Sequence, residues 1–481
     1  MNIIGKLKGY RNLPEPVKAS MWYTVSNVMQ KGMALLAMPI FTRLMTKDQY
    51  GEYAIFMSWY NILAIATTLN LYQGSYDKGL LLYEKNERAF TSSMLGLCAT
   101  LCTGVLLVYL VFRDFWVQVI DLSPVMMAAM FVLLYTAPAS DFWAARERFG
   151  YRYKKYVAIT LSTTVLSMVL GVVGVISTQY KAEARVYTDV GAKALFAIGL
   201  FVLLMGQGKC FFKKEYWKYG LLFNLPLIPH YLSTFVLNQA DRIMIDSMVG
   251  PDAAAVYSVA YTISTVMLLV TTAVNNSLVP YVYKAINGGT PEKIRGSTRL
   301  LFVLAAGLSV LTMCFAPEII YLFAGESYGE AIWVIPPIAA SVYFIFCYSM
   351  FSTIEYYYQK TGMIALASCG CAAANIVLNY VFIKLFGYYA AGYTTLACYI
   401  LLTLMHYAFY RRTLRQELPG FKTLHDIPMA VLCGVAVVAV MLVMVLTYRI
   451  FWVRYGLLAV ISLVVICKRK TVLGLFKKLQ S

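Results

Sequence analysis

Residues 21–53 read MWYTVSNVMQKGMALLAMPIFTRLMTKDQYGEY. The apolar part is long enough to cross a hydrocarbon core of about 30 Å as a helix rising about 1.5 Å per residue. It holds Lys31 near its midpoint, carries Gly32 and Pro39 as weak points, and ends in a polar turn with a second apolar run behind it. A charge at that depth costs roughly 3 kcal/mol on insertion scales, which directs it toward a protein interior or a watery cavity. From Tyr216 the plan returns: YWKYGLLFNLPLIPHYLSTFVLNQADRIMIDSMVG gives an apolar helix, the breakers Pro226 and Pro229, His230 inside, then Arg242. Lys31 precedes Arg43 by the interval at which His230 precedes Arg242. Two related halves, each opened by an interrupted helix bearing polar groups, point to a membrane transporter.

Composition agrees. Of 481 residues, 60% are hydrophobic and 13% charged, where soluble domains carry roughly 25% charged residues. The net charge of +18 is spread in short clusters between apolar runs; that pattern is topological and lipid-facing, and no nucleic-acid partner is expected. The first apolar run is too long for a signal peptide and is followed by Arg43, so it is expected to be retained. The ten Cys are scattered and mostly fall inside expected spans, as small apolar fillers. His230, His406 and His425 lie far apart, and no metal site is expected.

The reading is an all-α integral membrane protein of about fourteen transmembrane helices, two six-helix lobes plus a C-terminal pair. A cytoplasmic segment 1–19 precedes an N-lobe over 20–206, and a basic linker 207–218 leads to a C-lobe over 219–410. A basic loop 411–427, a helix pair within 428–467 and a basic tail 468–481 complete it. Roughly three-quarters of the basic residues fall on one set of alternating connections, which places both termini in the cytoplasm by the positive-inside rule. Arg146, Arg148, Arg152, Lys154 and Lys155 crowd one such connection, whereas Arg185 and Lys181 fall on the opposite set. The halves also match in order: Gly51-Glu52-Tyr53-Ala54 against Ala255-Val256-Tyr257-Ser258, Asn70 against Asn275, Arg148-Phe149-Gly150 against Lys360-Thr361-Gly362.

Three segments carry a family resemblance: Pro39-Ile40-Phe41-Thr42-Arg43-Leu44 with Tyr50-Gly51-Glu52-Tyr53; Asp241-Arg242-Ile243-Met244-Ile245 with Val256 through Tyr261; and Asn375-Ile376-Val377-Leu378-Asn379 running through Gly387 to Gly392. They resemble the polysaccharide transporters of the multidrug/oligosaccharidyl-lipid/polysaccharide exporter superfamily, the branch of the lipid-linked O-antigen flippases. Ala255 departs from the second-lobe pattern, which more often has Gly there. The resemblance implies an alternating-access flippase in the bacterial inner membrane, turning over a polyprenyl-pyrophosphate-linked oligosaccharide for O-antigen, capsule or exopolysaccharide synthesis. Membrane lipids and other glycan-assembly membrane proteins are the further partners it implies.

A pyrophosphate needs cations inside a closed-off cavity, because its charge loses hydration in hydrocarbon. Lys31 and Lys193 lie within expected spans and are the first candidates; Arg242 and Arg43 are the second, with interfacial snorkelling the competing use. Asp141, Glu355 and His230 are candidates for coupling to a proton or Na⁺ gradient, although an acid at a basic helix end is more often structural. Asn275 and Asn375 are candidates for sugar contacts, with interhelical bonding the commoner role. No phosphate-binding loop or catalytic constellation stands out, so neither an enzyme nor a bound cofactor is expected. The alternatives are a drug or small-solute exporter of the same superfamily and a polytopic glycan polymerase or ligase.

Overall fold

The structure is a computed structural model and describes residues 15–72, 75–358, 360–448, 450–452 and 454–459. Its contacts divide the chain into two compact units, Met1–Phe235 and Val236–Ser481, and every regular element among the described residues is helical.

The first unit opens with α1 (Glu15–Leu44) and α2 (Lys47–Thr68). The turn between them is set by Thr46, whose hydroxyl accepts from Gln49 N while the Gln49 side chain returns to Thr46 N, a reciprocal cap that stops the first span after Arg43. Then follow α3 (Ser75–Leu82), α4 (Glu87–Val111), α5 (Arg113–Ile120), α6 (Pro124–Phe149), α7 (Tyr153–Ser177) and α8 (Lys181–Gly208). Ser123 caps α6 and Pro124 supplies its first residue, where a missing N–H costs nothing. One apolar core gathers Phe41, Phe56, Met126, Met130 and Val186; a second gathers Tyr76, Phe90, Phe142 and Tyr216.

The seventh expected span, 219–240, is a broken helix. It comprises α9 (Lys214–Asn224), a 3₁₀ turn at Leu225–Leu227, α10 (Ile228–Phe235) and a π-helical stretch Val236–Ala240. Pro226 removes one backbone donor from this path and Pro229 a second, which is why the break falls here. Its first part packs with the first unit, so the unit boundary lies beyond the linker 207–218. Trp217 Nε1 donates to Ser93 O at 2.9 Å, Tyr219 OH to Ser75 O at 2.9 Å, and Asn224 Nδ2 to Ser75 Oγ at 2.7 Å. Pro39, by contrast, sits inside an unbroken α1.

The second unit continues with α11 (Asp241–Met248), α12 (Pro251–Thr265), α13 (Met267–Asn287), α14 (Lys293–Cys314) and α15 (Ala316–Phe323). It ends with α16 (Ile335–Tyr357), α17 (Thr361–Phe386), α18 (Ala390–Glu417) and α19 (Ile427–Thr447). The apolar window of α16 is 78% buried against 17% for α7, so α16 is the enclosed centre of its unit and α7 a rim helix of the other. Gly387 ends α17 at φ 75° and ψ −173°, a conformation that side chains resist and glycine accepts.

Nine helices among the described residues are long and apolar enough to span a membrane, or ten if the broken pair counts as one. The long helices α1, α2 and α18 are not among the nine; Lys31, Glu52 and the Arg411-Arg412 end show how polar groups dilute them. The expected last span, 453–467, lies mostly outside the described residues.

Candidate functional site

Each unit buries an aspartate near a buried arginine. In the first, α8 carries Arg185, Asp189 and Lys193 at four-residue intervals, which puts all three on one face of the helix. Asp189 is 2% exposed. Lys193 Nζ donates to its Oδ2 at 2.8 Å, Ser167 Oγ on α7 donates to Oδ1, and Tyr53 OH on α2 donates to Oδ2 at 3.4 Å. The Arg185 guanidinium lies 4.2 Å from the Phe41 ring centre and 4.8 Å from that of Tyr53, a buried cation held by aromatic faces. It has room because Gly171 on α7 has no side chain; a Cβ there would stand 2.6 Å from Arg185 Nη1. Helices α1, α2, α7 and α8 therefore meet at a single charge cluster.

The second unit does this with different residues. Asp241, at the start of α11, is 1% exposed. Tyr257 OH on α12 donates to Oδ2 at 2.5 Å, Thr395 Oγ1 on α18 donates to Oδ2 at 2.7 Å, and Asn379 Nδ2 on α17 donates to Oδ1 at 2.5 Å. Asn379 Nδ2 also reaches Asn375 Oδ1 at 3.3 Å, and Thr394 donates to Asn379 Oδ1. Arg242 faces the Tyr261 ring at 4.6 Å and donates through Nη1 to Gln239, while its Nε is buried without a hydrogen bond. The π turn shifts the helix register before Asp241 and sets Asn238 to accept from both Tyr261 and Tyr399 at 3.0 Å. A carboxylate with amide and hydroxyl oxygens around it is a hard, oxygen-rich environment, fit to hold a proton or a small monovalent cation. Among the described residues no three His, Cys, Asp or Glu side chains gather as a metal site.

A third polar group lies deeper in the second unit. Glu355 on α16 is fully buried and both its oxygens stand 3.0 Å from His406 Nδ1 on α18. Tyr348 stacks between the His406 and Tyr399 rings, with centroids 5.5 and 6.3 Å away.

The sequence candidates divide accordingly. Lys193 is matched by Asp189, and Arg242 is packed on Tyr261 beside the Asp241 cluster. Asn375 belongs to that cluster, and Asn275 Nδ2 bonds Ser349 Oγ at 2.7 Å within the same unit. Lys31 is exposed on α1 and has neither hydrogen bond nor ion pair among the described residues. Arg43 is exposed at the end of α1, and Asp141 is half-buried on α6. The side chain of His230 lies outside the described residues. Arg185, Asp189 and His406 were missed. The first two carried a readable signal, the four-residue spacing with Lys193, hidden by assigning Arg185 to a connection when α8 begins at Lys181.

Residues 17–286 match the family model described as polysaccharide biosynthesis protein, and residues 226–381 match the MatE model. The chain is 22% identical over 380 residues to the Lsg locus putative protein 1 of Haemophilus influenzae, covering 73% of this chain and 87% of that protein. Among solved structures, the lipid II flippase MurJ in an inward closed conformation aligns with TM-score 0.63 at 14% identity, over 94% of this chain and all of that one. An inward-facing multidrug resistance MATE transporter aligns with TM-score 0.66 at 14% identity, over 81% of this chain and 96% of that one. The chain thus belongs to the polysaccharide biosynthesis protein family and has the fold of the transporters of the multidrug/oligosaccharidyl-lipid/polysaccharide exporter superfamily.

Proposed function

We propose that the protein moves a polyprenyl-pyrophosphate-linked oligosaccharide repeat unit across the bacterial inner membrane by alternating access, for O-antigen, capsule or exopolysaccharide synthesis. The observation that carries this reading is the match to a polysaccharide biosynthesis family over residues 17–286 on a transporter fold. Both termini face the cytoplasm on the charge bias of the connections. The cation offered to the pyrophosphate is Lys31, because an exposed lysine midway along α1, with no hydrogen bond or ion pair among the described residues, has no partner to give up. Lys193 and Arg242 act first inside their own units, Lys193 by balancing Asp189. Coupling to a proton or Na⁺ gradient runs through the second unit, where Asp241 and the Glu355–His406 pair are the buried groups able to exchange a charge.

The test is a vesicle assay. Purified protein is reconstituted with a fluorescent polyprenyl-pyrophosphate oligosaccharide, and the rate at which the glycan becomes accessible across the bilayer is compared for wild type and Lys31→Ala. Transport by the wild type and at least a tenfold loss in the variant are expected. Folded wild type that moves no lipid-linked glycan and extrudes small cations instead would make the protein an exporter of drugs or small solutes.

A further inference from the structure

At one end of the first unit a cavity of about 480 Å³ opens between the start of α4, the end of α6, the start of α7 and the end of α8. Its charged lining is Arg88, Arg146, Arg152 and Lys155 against Glu87 and Glu147, four cations to two carboxylates. The carboxylates do not use the cations up. Glu147 stands 3.1 Å from Arg152 Nε, while Glu87 reaches only to 3.8 Å from Arg146 Nε. Arg146 is 8% exposed, donates through Nη2 to Gln207 at 3.1 Å, and has no hydrogen bond at Nε. A buried guanidinium with an unused donor requires an acceptor, and its planar fork suits a phosphate. Arg88 and Lys155 are exposed, with no ion pair among the described residues.

Apart from Gln207, the rest of the lining is apolar: Trp143, Ala158, Ile159, Leu200 and Leu203. Leu203 is 42% exposed, and Leu195, Ile198 and Val202 continue that exposed apolar face along α8. A site for a free phosphate gains nothing from such a wall; an amphiphile with a phosphate head and acyl chains does. The cavity lies beside the basic connection between α6 and α7, Arg146 to Lys155, the kind of cluster that lies at lipid headgroups at the end of a span.

We propose that this cavity binds the headgroup of an anionic phospholipid, with the phosphate against Arg146, Arg88 and Lys155 and the acyl chains along the Ile159, Leu200 and Leu203 wall. Glu147 holds Arg152 at the rim. The inference is independent of which glycan the protein transports.

Native mass spectrometry of the full chain released from detergent tests it, with phosphatidylglycerol, phosphatidylethanolamine and inorganic pyrophosphate as probes. Wild type is expected to retain phosphatidylglycerol at least tenfold better than phosphatidylethanolamine. The Arg88→Gln/Lys155→Gln double variant, altered only at exposed positions, is expected to lose most of that preference, roughly fivefold per cation. Lys384→Gln, an exposed lysine of the second unit, is expected to leave it unchanged. Equal retention of the two lipids, undiminished retention in the double variant, or an equal loss in Lys384→Gln would overturn the proposal. Pyrophosphate binding as tightly as the lipid would make this a site for soluble phosphate and overturn it as well.

Discussion

Replacing Asp189 by Asn removes the carboxylate on which α2, α7 and α8 converge, and the geometry divides the cost between its two cationic neighbours. Lys193 keeps a 35% exposed side chain, so losing its partner costs about 0.5 kcal/mol, the usual worth of such a pair on a helix. Arg185 is 9% exposed, enclosed by Phe41 and Tyr53, and makes no ion pair with Asp189 within 4 Å, so it loses only a longer-range attraction, less than the roughly 3–5 kcal/mol of a broken buried pair. With the hydrogen bonds of Ser167 and Tyr53 to the charge also weakened, Asp189→Asn is expected to lose about 2–3 kcal/mol. Lys193→Gln leaves Asp189 bonded to Ser167 and Tyr53 beside Arg185, and is expected to lose no more than about 1 kcal/mol. Thermal unfolding in detergent reads both variants, using a thiol-reactive dye that reports exposure of the buried Cys98 and Cys102 in the same unit. Equal destabilisation by the two substitutions would refute the asymmetry, and a stable Asp189→Asn would refute the account of Arg185 as a charge in need of compensation.

Thr395→Val removes one hydrogen bond to the buried Asp241 carboxylate at nearly constant volume and is expected to cost about 1.5–3 kcal/mol, with Thr395→Ser restoring most of it in the same unfolding assay. His425, in the connection between α18 and α19, has its imidazole pushed down to about 4 by burial, partly opposed by the Met350 carbonyl. The unfolded chain then binds the extra proton between about pH 6.5 and 4, so stability is full above that window and falls by about 3 kcal/mol on acidification through it; His425→Phe is expected to flatten this dependence in melting curves taken from pH 7.5 to 4. Gly32→Ala meets nothing within 4 Å in α1 and is expected to raise stability by up to about 1 kcal/mol. If α1 bends at Gly32 during transport, the same variant transports more slowly in the vesicle assay; an unchanged rate removes Gly32 as a bend point.

The helical plan was legible because periodicity and length are local properties. The 3₁₀ turn at Leu225–Leu227 follows from Pro226, and the end of α1 from the Thr46 and Gln49 cap. Helix ends were less legible. The start of α8 at Lys181 sits on a polar stretch whose burial depends on α1, α2 and α7, so Arg185 reads as a connection in sequence and is a core residue in structure. The site was legible only where one helix held all of it. Asp241, Asn379 and Thr395 come from three helices, and nothing in the spacing of Asp241 announces its partners. Glu355 was singled out as an acid near a basic end, but its partner His406 is 51 residues away, and only the packing of α16 on α18 joins them.

The two units reach one arrangement by different residues, and that constrains how the protein moves. Tyr53 and Tyr257 hold the same place in matched segments, and each hydroxyl bonds a buried aspartate. The aspartate comes from α8, the sixth span of its lobe, in one unit, and from α11, in the broken first span, in the other. The common requirement is spatial: one negative charge that ties the second span to the others, with an arginine held on aromatic rings nearby. Each hydrogen bond to such a charge contributes about 1.5–3 kcal/mol, and several would break together if the helices of one cluster slid apart. Each cluster therefore travels as a body. In the proposed alternating-access cycle, the deformation would fall to segments without these ties, foremost the path through Pro226, Pro229 and the π turn at Val236–Ala240, where backbone pairing is already interrupted.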